Sequence, residues 1–270
     1  MNVIDLTKPG CRDISDAWFQ LLFKILEEGS VHKIDRGSYA GQKRLEFDYI
    51  TVKINYPGTI PLLPQIPEQY GIPNPVADDY LDEYLPYLMT GEKVEGESYT
   101  YGERICRALL SEGQSTRWNL KQFKNIFIQE KEIWENNNII INHAGRTFLD
   151  QVEFVIWTYK NKGYRNNQMI LQVGKPTDLT LKDPPCLRHI DTRIQDNMLH
   201  FFVYFRSWDL WGGFPANLAG IEMLKQYMAA EIGVKNGEII AASKGLHLYD
   251  YSFNMTKCLA MKDDVKLEGE

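Results

Sequence analysis

The chain has 270 residues, 44% hydrophobic and 24% charged, with 30 basic side chains against 36 acidic ones and a formal net charge of −6. That composition can enclose a core and excludes wholesale disorder. The acidic balance argues against a protein that grips nucleic acid through net charge, and no apolar run reaches the roughly 18 residues of a membrane helix. The N-terminal stretch has neither a long apolar core nor a small-residue cleavage site, so no signal peptide is expected. Cys11, Cys106, Cys186 and Cys258 form no CxxC pair, which predicts neither a disulfide framework nor a metal site. The expectation is a soluble, cytoplasmic protein that binds no membrane.

Ala17, Trp18, Leu21, Leu22, Ile25 and Leu26 recur at helical spacing between the polar pair Ser15-Asp16 and Gly29, which predicts a helix over about 15–28. Residues 45–55 alternate and are rich in β-branched and aromatic types, a strand pattern. Tyr56–Val76 holds Pro57, Pro61, Pro64, Pro67, Pro73 and Pro75, half of the 12 prolines. Proline fixes φ and removes a donor, so this is an extended segment, either a linker or a loop wrapped over one domain. A short helix is predicted over Ala77–Met89, with Pro86 inside it. Further helices are predicted over 119–135 and over 147–161, the latter capped by Thr147 and ended by Gly163. Gln168–Val173 reads as a strand, and 187–194 with 198–205 as a β-hairpin turning at Asp196-Asn197. Leu218–Ile232 reads as a helix ended by Gly233, and Glu238–Ser243 as a strand. Strands and helices are interspersed without βαβ alternation. This predicts an α+β fold with helices packed on a mixed or antiparallel sheet, in one domain spanning 1–270.

Chemistry-bearing residues gather between Asp183 and Tyr251. Asp183-Pro184-Pro185-Cys186 is a stiff lead-in to a lone cysteine. Such a residue is either a small buried hydrophobe or, beside cations, a nucleophile. Arg206-Ser207 offers a guanidinium fork and a hydroxyl suited to phosphate. Asp209 and Asn217 can read the polar edge of a heterocycle, and Gly212-Gly213 lets a backbone approach closely. The bland alternative for this stretch is a strand end, a turn and a helix start capped by Asn217. His247 and Tyr249 stand two apart, on one face of a strand, and suit a sugar hydroxyl.

In order, Pro-Pro-Cys, Arg-Ser-x-Asp, Gly-x-Pro-x-Asn and His-x-Tyr resemble the thymidylate synthase family from Cys186 to Tyr249. The resemblance implies an α+β homodimer, joined through its sheet and sharing its active sites, that transfers a one-carbon unit to C5 of a pyrimidine nucleotide monophosphate. It implies 5,10-methylenetetrahydrofolate or a modified folate as co-substrate, and no metal. Cys186 then resembles the nucleophile that adds to C6. Arg206 and Ser207 resemble phosphate ligands, Asn217 the partner of the uracil edge, His247 and Tyr249 the ligands of the ribose 3′-hydroxyl, and Asp209 a folate-side residue. Upstream, Asp35-Arg36-Gly37-Ser38 resembles the family's mobile phosphate loop, making Arg36 a phosphate ligand. The segment 82–88 resembles the one bearing the catalytic carboxylate, which falls on Glu83. Tyr99–Gly102 resembles a segment near the site.

Arg165 stands alone where the family usually has two arginines reaching the partner's phosphate. Leu187 and Phe205 replace the usual His and Gln, and the C-terminus lacks the usual apolar ending. The pattern is therefore similar to a divergent, archaeal-type branch. The resemblance favours thymidylate synthesis from dUMP. Alternatives are a 5-hydroxymethylase of dCMP, CMP or dUMP, and a non-catalytic nucleotide- or RNA-binding regulator. Acidic charge and the retained Cys186 count against the last.

Overall fold

Alternating burial along the longer strands builds an eight-stranded sheet with helices on its dry face, and the described residues also form a separate three-stranded sheet. The computed structural model describes residues 1–35, 39–77, 79–112, 131–262 and 265. Its strands are β1 (Val3–Cys11), β2 (Ser30–Lys33), β3 (Lys43–Ile54), β4 (Ala108–Glu112), β5 (Ile140–His143) and β6 (Arg146–Leu149), followed by β7 (Ile170–Gln172), β8 (Leu187–Gln195), β9 (Met198–Phe205), β10 (Trp208–Asp209) and β11 (Lys235–Tyr249). The helices are α1 (Ile14–Glu28), α2 (Tyr80–Met89), α3 (Tyr101–Cys106), α4 (Lys131–Asn136), α5 (Gln151–Lys162), α6 (Gly213–Ile232) and α7 (Phe253–Leu259).

The main sheet runs β1-β3-β11-β9-β8-β7, with β2 beside β3 and β10 beside β11. β11 is antiparallel to β3 and parallel to β9, and β8 and β9 are antiparallel, so the sheet is mixed. This is the α+β architecture the sequence predicts. On β9, Leu199, Phe201, Val203 and Phe205 are buried toward the helices, while Phe202 and Tyr204 stay half-buried on the other face. The topology puts the start of β8 and the far ends of β9 and β11 at one edge of the fold. The residues between 183 and 249 that the sequence singles out are gathered there.

Several boundaries move for identifiable reasons. α1 begins at Ile14, because the Asp13 carboxylate accepts from the Asp16 N–H and caps the helix two residues ahead of the expected pair. The helix expected from 147 begins at Gln151. Asp150, whose carboxylate accepts from the Val152 and Glu153 N–H groups, is its cap. Thr147 instead lies in β6, which pairs with β5 around Ala144-Gly145, both at positive φ. Of the helix expected over 119–135, residues 119–130 lie outside the described residues, and Lys131–Asn136 is helical. Asp196 and Asn197 sit at φ 52° and 58°, the left-handed pair a two-residue hairpin turn needs. The proline-rich segment wraps over the core: Leu63, Ile66 and Val76 are buried in the same cluster as the sheet and α6.

α2 and α6 touch through a glycine. A Cβ on Gly220 would stand 2.2 Å from Cδ1 of Tyr84, so the tyrosine ring occupies space that any side chain would fill. Gly102 of α3 is as tight against α2, where a Cβ would lie 2.3 Å from the Tyr87 carbonyl oxygen and 2.2 Å from that of Thr90.

Candidate active site

Cys186 stands immediately before β8, half-buried, in a turn fixed by two arginines. The Arg206 backbone N–H donates to the Cys186 carbonyl at 2.9 Å, and its Nε donates to the Pro185 carbonyl at 3.1 Å. Nη2 of Arg206 donates to the Pro184 carbonyl and to Asp183, a 68%-exposed partner at 3.4 Å. From the other side Arg188 donates to the Pro185 carbonyl at 3.4 Å and to the buried carboxylate of Asp178 at 3.1 Å. Asp178 also holds Arg104 at 2.8 Å. Proline carbonyls are free to accept because they make no ladder bonds here, so the Pro-Pro lead-in supplies rigidity and anchoring oxygens together.

Burial pushes the Cys186 thiol above its ordinary value. Arg206 pulls it down, Asp183 pushes it up, and Arg188 pulls it down again. Two tyrosines lie near the thiol. The Tyr101 hydroxyl accepts from the Leu187 N–H at 3.3 Å, and burial followed by the nearness of Cys186 raises its pKa. Tyr99 is pushed up to about 12 for the same two reasons, so both hydroxyls keep their protons and remain donors.

The remaining motifs fall around this turn. Ser207 is half-buried in the bend after β9. Asp209 lies in β10, which takes β9's place beside β11 and pairs directly with His247. One Asp209 oxygen accepts from the Trp211 N–H at 3.2 Å. The other accepts from the N–H groups of Gly212 and Gly213 at 3.0 and 2.9 Å. Asp209 therefore ties down the turn that leads into α6, whose N-cap position is Gly212. Asn217, which the bland reading makes the cap, lies inside the helix, where its amide meets Trp208 and Tyr84.

His247 and Tyr249 share a face of β11, with ring centroids 4.7 Å apart. Nδ1 of His247 is 2.8 Å from the Gly245 carbonyl, which can only accept, so Nδ1 carries the proton. Nε2 is then a bare acceptor, buried and without a hydrogen-bond partner. Burial lowers the pKa of this imidazole and keeps it neutral. Tyr249 stacks on Tyr39 at 4.2 Å, and burial lifts its hydroxyl to about 12.

Three expected members are not brought into this cluster. Arg36 lies outside the described residues. Arg165 is exposed after α5. Glu83 is exposed on α2, and the residue α2 delivers is its neighbour Tyr84, buried against Asn217. Sequence reasoning missed Tyr84, Trp208 and Arg188. Arg188, two residues past Cys186 on an alternating strand, was the one with a readable signal.

Asp209, the folate-side candidate, accepts three backbone N–H groups, one on one oxygen and two on the other, and keeps a lone pair for a further donor. Among the described residues, no His, Cys, Asp or Glu cluster of three or more is placed to hold a metal ion. No described helix is long and apolar enough to cross a membrane.

Fold and site together define an α+β protein built around a thiol held beside two arginines at the end of a mixed sheet. The thymidylate synthase family model matches residues 107–267, more than half of the chain. The chain belongs to the thymidylate synthase family, whose members are methyltransferase-type enzymes. It is 28% identical over 246 residues to a protein of Methanosarcina acetivorans named "Putative thymidylate synthase", covering 91% of both chains. Proteins of the same name from Methanococcoides burtonii and Methanothermobacter thermautotrophicus match at 29% and 24% identity, covering 90% and 89% of this chain and 89% and 92% of theirs. These archaeal relatives and their low identities mark a divergent member.

Proposed function

We propose that the protein transfers a one-carbon unit to C5 of dUMP through a covalent adduct at Cys186. The observation that carries this reading is the half-buried Cys186 turn gripped by Arg206 in a chain of this family. C5 of uracil is a poor nucleophile. Attack of the Cys186 thiolate on C6 forms the C–S bond and moves the ring π electrons to an enolate reactive at C5. C5 then bonds the one-carbon unit and its proton leaves; a reduced folate would supply both that unit, released by cleavage of its bond to the carrier, and the hydride that converts it to methyl, and departure of the Cys186 thiolate restores the ring. The family implies a methylene-folate or a modified folate as donor.

Arg206 and Ser207 bind the phosphate, with Arg36 on its loop. Arg165 serves the partner subunit's nucleotide. The bare Nε2 of His247 accepts from the ribose 3′-hydroxyl, with Tyr249 beside it. Asn217 pairs with the uracil edge. The exposed position of Glu83 gives it no step here. The continuous core from Ile4 to Ala260 supports one domain. The outer face of the sheet supports a homodimer: His189, Asp191, Phe202, Tyr204, Ile240 and Ala242 line a concavity of about 430 Å³ there.

Tritium release from C5-labelled dUMP and dCMP, followed by product identification, tests the reaction. Release from dUMP with dTMP as product is expected. Release from dCMP alone, or a hydroxymethyl product, overturns this assignment. Light scattering on the wild type and Phe202→Asp tests the dimer, and a monomeric wild type rejects it.

A further inference from the structure

The amide of Asn217 is held from both sides by partners of different kinds. Trp208 Nε1 donates to Oδ1 at 3.0 Å, and Nδ2 donates to the Tyr84 hydroxyl at 2.7 Å. A hydroxyl accepts or donates as required and follows whichever end of an amide it meets. An indole N–H only donates. Trp208 alone therefore dictates which end of the amide points where, because a turned amide would set an N–H against the N–H of the buried indole.

Trp208 cannot yield easily. It is 2% exposed, lies flat on Phe205 with centroids 4.0 Å apart, and packs on Phe214 at 4.6 Å. Tyr84 is buried too, seated over Gly220, and burial keeps its hydroxyl protonated. Each end of the amide retains one valence: a second lone pair on Oδ1 and a second hydrogen on Nδ2. A ligand thus meets an acceptor and a donor in a fixed order.

We propose that Trp208 is the positioning residue that sets base specificity, locking Asn217 in the orientation that reads a uracil edge and refuses a cytosine edge. This rests on the reading that Asn217 pairs with the base. Uracil offers N3–H as donor and O4 as acceptor, and cytosine offers the reverse. Pairing with cytosine requires the turned amide, which leaves the buried Trp208 N–H facing an amide N–H without an acceptor. A penalty of that kind corresponds to about tenfold or more in affinity.

The test is equilibrium binding of dUMP and dCMP to the full chain in wild type, Trp208→Phe and Tyr84→Phe. Trp208→Phe keeps a ring in the stack and removes the N–H. The dUMP-to-dCMP affinity ratio is expected to fall at least about tenfold, chiefly through tighter dCMP binding, while Tyr84→Phe changes the ratio by less than about threefold. Equal weakening for both nucleotides in Trp208→Phe reduces Trp208 to packing and overturns the proposal. A wild type that binds both equally overturns it as well, with the nucleotide site intact. A wild type that binds neither removes the site reading itself.

A measurement on folded wild-type-like protein covers the case where Trp208→Phe does not fold. The indole ¹H–¹⁵N resonance of Trp208 should move upfield in Asn217→Ala, which removes the acceptor, and stay in place in Asn217→Asp, which keeps one. An unmoved resonance in Asn217→Ala overturns the lock.

Discussion

Replacing Arg206 with alanine tests what sets the reactivity of Cys186. In the native chain burial raises the thiol, and Arg206 is the largest influence opposing it. Without that guanidinium, Arg188 alone faces burial and the carboxylates of Asp183 and Asp209. Losing a charge-assisted contact of roughly 1.5–3 kcal/mol, at 1.36 kcal/mol per factor of ten, should push the thiol pKa further up. Below its pKa this cuts the thiolate fraction about ten- to a hundredfold. The more basic thiolate is also the better nucleophile, with a Brønsted slope of about 0.4–0.5 that returns nearly half of the loss on a logarithmic scale. Net alkylation at fixed pH should therefore slow about three- to tenfold.

The assay is the pH profile of iodoacetamide labelling by intact mass, with Cys186→Ala as background because Cys258 is half-exposed. Arg206→Lys should recover part of the rate, since it restores the charge but not the fork on the two proline carbonyls. The opposite sign is also physically available. If the clamp matters more than the charge, Arg206→Ala opens the turn, relieves burial and lowers the thiol pKa. A faster or unchanged labelling rate would refute the view that the guanidinium's charge governs the thiol.

Other expected outcomes concern the frame. Asp178→Ala leaves Arg104 buried without its carboxylate, a loss of about 3–5 kcal/mol in denaturant unfolding; less than 1 kcal/mol would show the pair to be dispensable. Asp209→Ala removes the carboxylate that accepts from the N–H groups entering α6 and should cost about 1–2 kcal/mol, lowering Tm by about 2–8 °C. An unchanged Tm would return Asp209 to the ligand side. His247 has its pKa held below the unfolded value, so the unfolded chain takes up a proton first as pH falls. Its contribution to stability is full above about pH 6.5 and declines below it. The urea midpoint should fall between about pH 7 and 5.5, and His247→Gln should flatten part of that slope, with His200, also lowered by burial, carrying some of the rest. The same slope in both proteins would clear His247.

Much of the frame is legible in the sequence because local signals agree with it. Apolar spacing marks α1, and Asp196-Asn197 marks the hairpin that sets Arg206 beside Cys186. Caps are misread where several polar residues compete: Asp13 wins over Ser15, and Asp150 over Thr147, by carboxylate geometry that no pattern displays. The site is legible where its members cluster along the chain, from Asp183 to Tyr249. It is illegible where it depends on approach in space. Glu83 and Tyr84 differ by about 100° of helical rotation, and that rotation decides which of them meets Asn217. Trp208 reads as core, and is core, yet its one polar atom meets the Asn217 amide.

The seating of α2 carries a consequence for how this protein can drift over evolutionary time. Its two neighbours approach it closely through residues without side chains, Gly102 and Gly220. Even a methyl group at Gly220 would lie inside the Tyr84 ring, so a harmless-looking alanine on α6 would evict the tyrosine from the amide it touches. Gly220 lies outside the motif residues that resemble the family, whereas Gly102 closes the Tyr99–Gly102 segment that does. Their loss would surface as a change at Asn217, three residues from position 220 on α6 and joined to α2 through the Tyr84 hydroxyl. Lineages that refill either notch would have to surrender the Tyr84 contact in the same step.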